Sequence, residues 1–506
     1  MRRYLLRVEG VNLAASLDDT QDLGATQGAS LALLNAPEAV RQHGARQGTR
    51  LEPIYVGASQ GLFRFEAESD DAAEDVAEAA RGFLVGSGVV FSHLSFVVDV
   101  EPIGADEERA KERVLARNRR RQVQTLTVRL PEPNATATDP CVIDRVRPGV
   151  EADREGLVSA SVKARRQYRR GHRDAFYHST IGLAAGLRPR WADDFLGLVS
   201  APPRPANEAI RDKLALIYFD GNRFGKIRED VKNDRQFSEA LLELRRGLMA
   251  ALLAPNGGLV ESRFFRDNAE DPDDPETPRL PLETLVWGGD EMLWAVPAWL
   301  AVPLVGAFFK QSREWKIGGH RLTHAGGVVI GSYKTPVRQM IALAHQLADN
   351  AKGDRSRSAL QIEILESLDI PDGYLDRQRR RRFDPNHTVT DQAAFSALFT
   401  LGDEEWGKLI EAVKTARKHF PRSQLYRLLF AARDQGGFLD SNGVAARAKE
   451  LAQVIADNGY REITADTLLG PPPVADATDG RLLRLAAIAG LWDYVDPVTA
   501  AAGDVA

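Results

Sequence analysis

The same succession of segments is read twice along this chain, and a repeat of that kind leaves few folds open. In the first pass YLLRV (Tyr4 to Val8) reads as a strand and QGASLALLNAPEAVRQ (Gln27 to Gln42) carries a largely helical pattern. LEPIYVGASQGLFRFEA (Leu51 to Ala67) reads as two strands around a small-residue turn. DDAAEDVAEAARGFLV (Asp70 to Val85) is Ala-rich with acids in its first turn, as a helix should be, and FSHLSFVVDV (Phe91 to Val100) is β-branched and aromatic. The order is βαββαβ, the ferredoxin-like unit.

The second pass opens on KLALIYFDG, an apolar strand ending in an acid, followed by the amphipathic FSEALLELRRGLMAALL (Phe237 to Leu253). LETLVWGGDEMLWAV (Leu282 to Val296) predicts a hairpin, AVPLVGAFFKQSREW a helix and LTHAGGVVIG a strand. PVRQMIALAHQLADNAKG (Pro336 to Gly353) has Pro at its first turn and Gly after its end, and SALQIEIL (Ser358 to Leu365) is a last strand. The hairpins overlay: YVGASQGLF (Tyr55 to Phe63) sits on VWGGDEMLW (Val286 to Trp294), with Gly57 on Gly288 and Ser59 and Gln60 where Asp290 and Glu291 stand. The expected fold class is α+β. It comprises a first ferredoxin-like unit at 1–105 and a basic, mainly helical insertion at 106–205. A second such unit follows at 206–372, then a helical C-terminal domain at 373–506.

Length and charge narrow the classes around this frame. A chain of 506 residues exceeds one ordinary core. It is 43% hydrophobic and 27% charged with a net charge of −5, ordinary for a globular protein and neutral as to nucleic acid. Cys141 is the single cysteine, which excludes an intramolecular disulfide and a Cys-rich zinc site. No apolar run approaches the ~20 residues of a membrane helix, and MRRYLLRVEG turns polar too early for a signal peptide. The expected location is cytoplasmic, with no membrane partner.

The second hairpin raises the chemical question. Two glycines and two acids break a run of bulky apolar residues in LVWGGDEMLW. In a ferredoxin-like sheet the first strand runs antiparallel beside the third, so Asp220, at the end of IYFDGN, falls close to Asp290 in the turn. Carboxylates at adjacent strand ends repel unless a divalent cation lies between them, and Mg²⁺ favours one or two carboxylates plus substrate phosphates. Gly288 and Gly289 permit the tight turn and clear space for a phosphate or a base. Alternation along a strand keeps Asp290 and Glu291 from both facing one ion. Asp290 is therefore the expected principal ligand, with Glu291 as a second ligand or as the group that orients water or the attacking hydroxyl. Asn222 shares parity with Asp220, and Gly221 could lend a carbonyl.

At these residues the chain resembles the palm-domain nucleotide cyclase and polymerase superfamily, to which GGDEF-type diguanylate cyclases belong. It is most similar to the large polymerase-like subunit of type III CRISPR effector complexes, with two ferredoxin-like palms, a GGDD motif in the second, a middle insertion and a helical C-terminal domain. GGVVIGSYKTPVRQMIALAHQLADNAKG (Gly326 to Gly353) resembles its strand, Lys-x-Pro turn and helix, and DTQDLGATQGASLALL (Asp19 to Leu34) the first helix of its first palm. The resemblance spans about residues 1–370 in organisation and is motif-specific between 213 and 365. It implies metal ligation by Asp220, Asp290 and Glu291, Lys352 on a triphosphate, and Lys334 of YKTP as a further phosphate contact. It implies two Mg²⁺ or Mn²⁺ ions and NTP substrates, ATP first among them. The reaction would yield a cyclic or short oligonucleotide signal and pyrophosphate, in prokaryotic antiviral defence. No His is followed by Asp and the cysteines for zinc are missing, so an HD nuclease and a zinc-binding insertion are not expected. A stand-alone relative is the expectation.

Several features have plainer readings. The degenerate first unit could supply an acceptor pocket for the second nucleotide, or a homodimer could. The basic stretches RAKERVLARNRRRQ (Arg109 to Gln122) and SVKARRQYRRGHRDAFYH (Ser161 to His178), with Arg117, Arg119, Arg120, Arg121, Arg165, Arg166, Arg169 and Arg170, are either RNA contacts or solvated helices paired with nearby Glu. RQRRRR (Arg377 to Arg382) suits RNA or a subunit interface. RDNAEDPDDPETPR (Arg266 to Arg279) reads as a mobile loop. His172, His178, His320 and His324 show no metal-ligand spacing, and Trp287 is a core residue or a base-stacking one. Two rival functions stand beside the cyclase. One is a catalytically silent palm-type scaffold or RNA-binding subunit of a CRISPR-like complex; the other is a polymerase or terminal transferase.

Overall fold

A computed structural model describes residues 1–496 apart from 14–16, 18, 58, 87, 126–138, 201–207, 255–257, 261–264, 267–278, 368–369, 372, 435–437 and 472–477. In the first unit β1 (Arg2–Gly10) alternates its side chains between two apolar layers. Tyr4, Leu6 and Val8 face a core built with α1 (Leu23–Arg46) and, beyond β2 (Glu52–Gly57) and β3 (Gln60–Ala67), with α2 (Asp70–Val85). Asp22 starts α1 by accepting the Ala25 N–H at 2.7 Å, and Ser69 starts α2 in the same way. With β4 (Phe96–Pro102) the strand order is β2-β3-β1-β4, and every neighbouring pair is antiparallel. Leu5, Ile54 and Leu62 point outward onto Ala110 and Val114 of α3 (Glu107–Gln122), which covers that face.

The second unit repeats the plan and extends it. After α4 (Ala160–Ala175) come β5 (Lys213–Gly221), α5 (Asp234–Leu252), β6 (Glu283–Gly288), β7 (Glu291–Pro297), α6 (Ala298–Ser312), β8 (His324–Ser332), α7 (Val337–Ala351) and β9 (Ala359–Ile364). The order is β6-β7-β5-β8-β9, closed by the short β10 (Leu401–Gly402) beyond α8 (Leu375–Phe383). Ala215, Ile217 and Phe219 face α6, in a core shared with Trp406 and Leu409 of α9 (Asp403–His419). Leu214, Leu216 and Tyr218 face Met340, Ala344 and Leu347 of α7. That helix lies almost on the strand: a Cβ on Gly327 would stand 1.9 Å from the Ala344 carbonyl oxygen, so only glycine lets α7 approach β8 so closely. Because α7 runs back along β8, its C-terminal end arrives where β5 ends.

The two hairpins share one register. Gly57 pairs with Gln60 and Tyr55 with Leu62, with a shift between Pro53 and Tyr55. Gly288 pairs with Glu291 and Val286 with Leu293, with a shift between Thr284 and Val286. The irregularity thus falls at the same step in both copies. It extends the overlay of Gly57 on Gly288 from a short sequence match to the backbone. Register on the next strand carries the comparison further: Glu9 pairs with Gln60, and one step beyond the Phe219–Met292 pair Asp220 meets Glu291. Glu9 therefore holds the position of Asp220.

The insertion ties the units together through buried charge. Arg165 pairs with Asp19 at 2.7 Å, and Arg166 with Asp22 at 2.7 Å and Asp153 at 2.6 Å. Arg169 reaches Glu283 of β6 at 2.9 Å, and Gln27 of α1 donates to the same carboxylate at 2.7 Å. On α3, Arg117 pairs with Glu101, Arg119 with Glu9 and Arg121 with Asp99. These arginines are committed within the protein, which removes most of both basic stretches from the set of free RNA contacts. No described helix is long and apolar enough to cross a membrane.

Candidate active site

Asp220 ends β5 on the face turned to α7, sharing that face with Tyr218. Glu291, the first residue of β7, lies on the same face, and the Tyr218 hydroxyl donates to its Oε1 at 2.8 Å. Asp290 occupies the two-residue turn between β6 and β7, and Gly289 beside it has φ +52°, a value suited to glycine at the first central position of such a turn. The turn is held from the opposite side. Arg245 of α5 donates to the Gly289 carbonyl at 2.7 Å and to the Glu291 carbonyl at 3.3 Å, and its guanidinium lies 3.9 Å over the Trp287 ring.

The electrostatics are those of crowded acids. Burial, then the Asp220 carboxylate and the Glu291 carboxylate, push Asp290 up to about 6 against a backbone hydrogen bond and the weaker pull of Arg245. Burial, then Glu291 and Asp220, also raise the Tyr218 hydroxyl, which stays protonated and able to donate. Lys352, just past the end of α7, places its Nζ 2.6 Å from Asp220 Oδ2 and 2.8 Å from Asp349 Oδ1. Burial works against that ammonium, but the hydrogen bonds to Asp220 and Asp349 outweigh it and raise Lys352. His345, two turns earlier on the same helix face, stacks on Tyr218 at 4.0 Å.

Among the described residues no group of three or more His, Cys, Asp or Glu side chains forms a ready ligand cluster. What is present is a pair of carboxylates, Asp220 and Asp290, whose repulsion is met by one lysine. That donor set fits a divalent cation completed by substrate phosphates rather than an all-protein cage.

The structure brings Asp220, Asp290, Glu291, Gly221, Gly288, Gly289 and Lys352 to one end of the sheet. It corrects two expectations. Asn222 is buried and turned away: its N–H donates to the Thr323 carbonyl at 2.8 Å and its Nδ2 to Thr323 Oγ1 at 3.2 Å. Parity fails there because the strand ends at Gly221, where a Cβ would stand 2.5 Å from the Phe224 ring, and Asn222 is already in the turn beyond it. Lys334 follows β8 at its far end, where Ser332 pairs with Lys213, while Ala325 is the partner of Asp220. Ala325 and Ser332 are seven residue steps apart, about 23 Å at ~3.3 Å per residue.

Trp287 is 5% exposed and covered by Arg245, so its ring is a wall of the core rather than a free stacking surface. His324 is enclosed by Phe224, Phe308 and Trp315, and burial lowers it to about 3. The acidic stretch from Arg266 to Arg279 lies outside the described residues over 267–278. Sequence reasoning missed Tyr218, His345 and Arg245. Tyr218 was the one with a signal, standing two residues before Asp220 on the same strand face.

No family model matches the chain, and no curated protein matches it. Solved structures do. The fold is similar to the Csm1–Csm4 cassette in complex with cA4, at 14% identity and a TM-score of 0.57, over 98% of this chain and 70% of that one. It is similar to Csm1 of T. onnurineus at 15% identity and a TM-score of 0.56, over 96% and 70%. The cassette in complex with one ATP gives 13% identity and a TM-score of 0.54, over 96% and 70%. The chain therefore has structural neighbours in Csm1, the palm-polymerase-like large subunit of type III CRISPR systems, along nearly its whole length.

Proposed function

We propose that this chain is a palm-type nucleotidyltransferase that joins NTPs, ATP first among them, into a cyclic or short oligonucleotide with release of pyrophosphate. The two βαββαβ units are then two palms, the first degenerate and the second catalytic. A role in antiviral defence, beside a partner subunit as in the Csm1–Csm4 cassettes, belongs to the same proposal.

One observation carries it: Asp220, Asp290 and Glu291 converge on one sheet end with Lys352 on Asp220, and Asp290 is pushed up to about 6 by burial and then by its acidic neighbours. The neighbours in complex with cA4 and with ATP support the substrate class. Asp220 and Asp290 would hold Mg²⁺ or Mn²⁺, which when bound makes a ribose hydroxyl more acidic and offsets charge on the leaving phosphates. The rest of the chemistry is positioning. A hydroxyl oxygen of one nucleotide bonds to the α-phosphorus of the other as the bond to the β-phosphate breaks. Glu291, fixed by Tyr218, is the carboxylate on hand for the hydroxyl proton. Lys352, a mobile point charge, can pass from Asp220 to the triphosphate. Arg245 keeps the turn from yielding as charge shifts.

A second reading, a unit that binds nucleotide without turnover, has one observation in its favour: Lys352 already neutralises Asp220. Incubation of the purified protein with Mg²⁺ or Mn²⁺ and each labelled NTP, singly and mixed, with and without RNA, separates the two. The expected result is an oligonucleotide product and pyrophosphate, both lost in Asp290→Ala. Metal-dependent NTP binding with no product under any of these conditions would favour the second.

A further inference from the structure

Apart from Arg382, which lies 4.9 Å over the Phe383 ring, the arginines of α8 divide into two sets. Arg379 is 3% exposed and donates to Glu363 at 2.9 Å and to Gln361 at 2.6 Å. Arg380 donates to Asp384 at 3.1 Å, to the Val389 carbonyl at 2.7 Å and to Gln392 at 3.0 Å, with its guanidinium 4.2 Å over Phe395. Both hold the fold. Arg377 and Arg381 do not: they are exposed, one helical turn apart, and have no hydrogen-bond or ion-pair partner among the described residues.

These two line a cleft of about 610 Å³ together with Arg380, His387, Gln392 and Asp376. Asp376 is the one acid in that wall, and it accepts from Asn350 at 3.5 Å. Like charges four residues apart on a helix repel, and Asp376 alone cannot balance Arg377 and Arg381, so the described lining keeps a net positive charge. Guanidinium forks are matched by phosphate, which can bridge two of them. The volume is that of a small-ligand site, and every lining residue but Pro385 is charged or polar, so charge and hydrogen bonding select the ligand. Asn350 stands two residues before Lys352, so α8 meets α7 beside the rim of the candidate active site.

We propose that the Arg377–Arg381 cleft binds the phosphodiester backbone of a short single-stranded oligonucleotide. The strand has two sources, an external RNA or the oligonucleotide made at the acids. Binding at α8 does not require synthesis, and it can be measured on a chain that cannot catalyse.

The test is fluorescence anisotropy with two probes, a labelled 12-nucleotide single-stranded RNA and a labelled linear tetra-adenylate, at 50–200 mM NaCl. Wild type is compared with Arg377→Glu/Arg381→Glu, and with Arg109→Glu/Arg120→Glu as an exposed control of equal charge change. All three are repeated in the Asp290→Ala background, and melting curves check the fold. The cleft variant is expected to bind at least tenfold more weakly, and the control less than twofold. The slope of log K against log salt should fall by ~1.4, at ~0.7 per phosphate contact on single strands. Preference for the 12-mer assigns an external strand, and preference for the tetra-adenylate assigns the product. Equal losses in cleft and control variants, or no wild-type binding of either probe, would overturn the proposal and leave the run as a protein interface. Wild type that binds a probe at the cleft but makes no product from NTPs would count against the catalytic reading alone.

Discussion

At the scale of single residues Asp290 carries a testable signature that precedes any assay of catalysis. Its carboxyl is raised from an ordinary 3.8 to about 6, first by burial and then by Asp220 and Glu291. A carboxyl raised in the folded state holds its proton more tightly there than in the unfolded chain. The stability it contributes is complete below about 4 and is lost as pH rises through about 6. A shift of about two units sets an upper bound of ~3 kcal/mol, and partial access to water reduces this to ~1 kcal/mol. In EDTA, Asp290→Asn should therefore melt above wild type at pH 8, by about 2–4 °C for a unit of this size, with the gap shrinking toward pH 5. Millimolar Mg²⁺ should narrow the gap at pH 8 by stabilising wild type. Calorimetric melts across that range check it, and a gap independent of pH would remove the idea that acid crowding shapes this turn. The neighbouring Tyr218–Glu291 hydrogen bond explains a division of labour that strand parity left open. Glu291 faces α7 with Asp220, while Asp290 reaches the same region from the turn.

At the scale of elements the hairpin and the insertion helix form one construction. Glu283 of β6 is fully buried and receives Arg169 of α4 and Gln27 of α1, with Arg173 at 3.9 Å. Burial, then repulsion from Arg169, pushes Arg173 down to about 10, against the opposing pull of Glu283. Removing one partner of a buried ion pair strands the others, at ~3–5 kcal/mol. Glu283→Ala should cost about that much by chemical denaturation and should loosen the Gly289–Asp290 turn from below. Glu243→Ala, which breaks an exposed pair with Arg246, should cost under ~0.5 kcal/mol. Similar losses in the two variants would contradict this account. The contrast marks what the sequence could convey. Alternation, glycine pairs and N-caps such as Asp22 lie within a few residues of what they determine, so strands, hairpins and helix starts were legible. The partners of Arg165, Arg166 and Arg169 lie 146, 144 and 114 positions away, and charge alone does not name a partner at that distance. The same limit hid Arg245, whose acceptors are carbonyls 44 and 46 residues downstream. It also let Lys334 pass as a neighbour of the acids, since a motif quoted along a strand does not say which end of the sheet it reaches.

At the scale of the whole molecule the duplication is unequal in a way that sets how many metal-bound nucleotides the proposed reaction could place at the acids. Glu9 occupies in the first sheet the place of Asp220 in the second, but its side chain is only 5% exposed. Arg7 donates to it at 3.1 Å, Gln60 at 3.2 Å, and Arg119 of α3 pairs with it at 3.0 Å. Where the second unit leaves Asp220 with one movable lysine, the first has closed the position with two arginines and an amide. A cation with its triphosphate would have to displace all three and the helix that bears Arg119, and nothing gained at a single carboxylate offsets that. The first unit therefore should not supply an acceptor site at this position, although it can still meet a nucleotide on another surface or leave that task to a second copy of the chain. Equilibrium dialysis with labelled ATP and Mg²⁺ should count close to one metal-dependent site per chain. Asp290→Ala should abolish it and Glu9→Gln should leave it unchanged. A count near two that falls to one in Glu9→Gln would show that the first unit opens, and that its arginines are a gate rather than a plug.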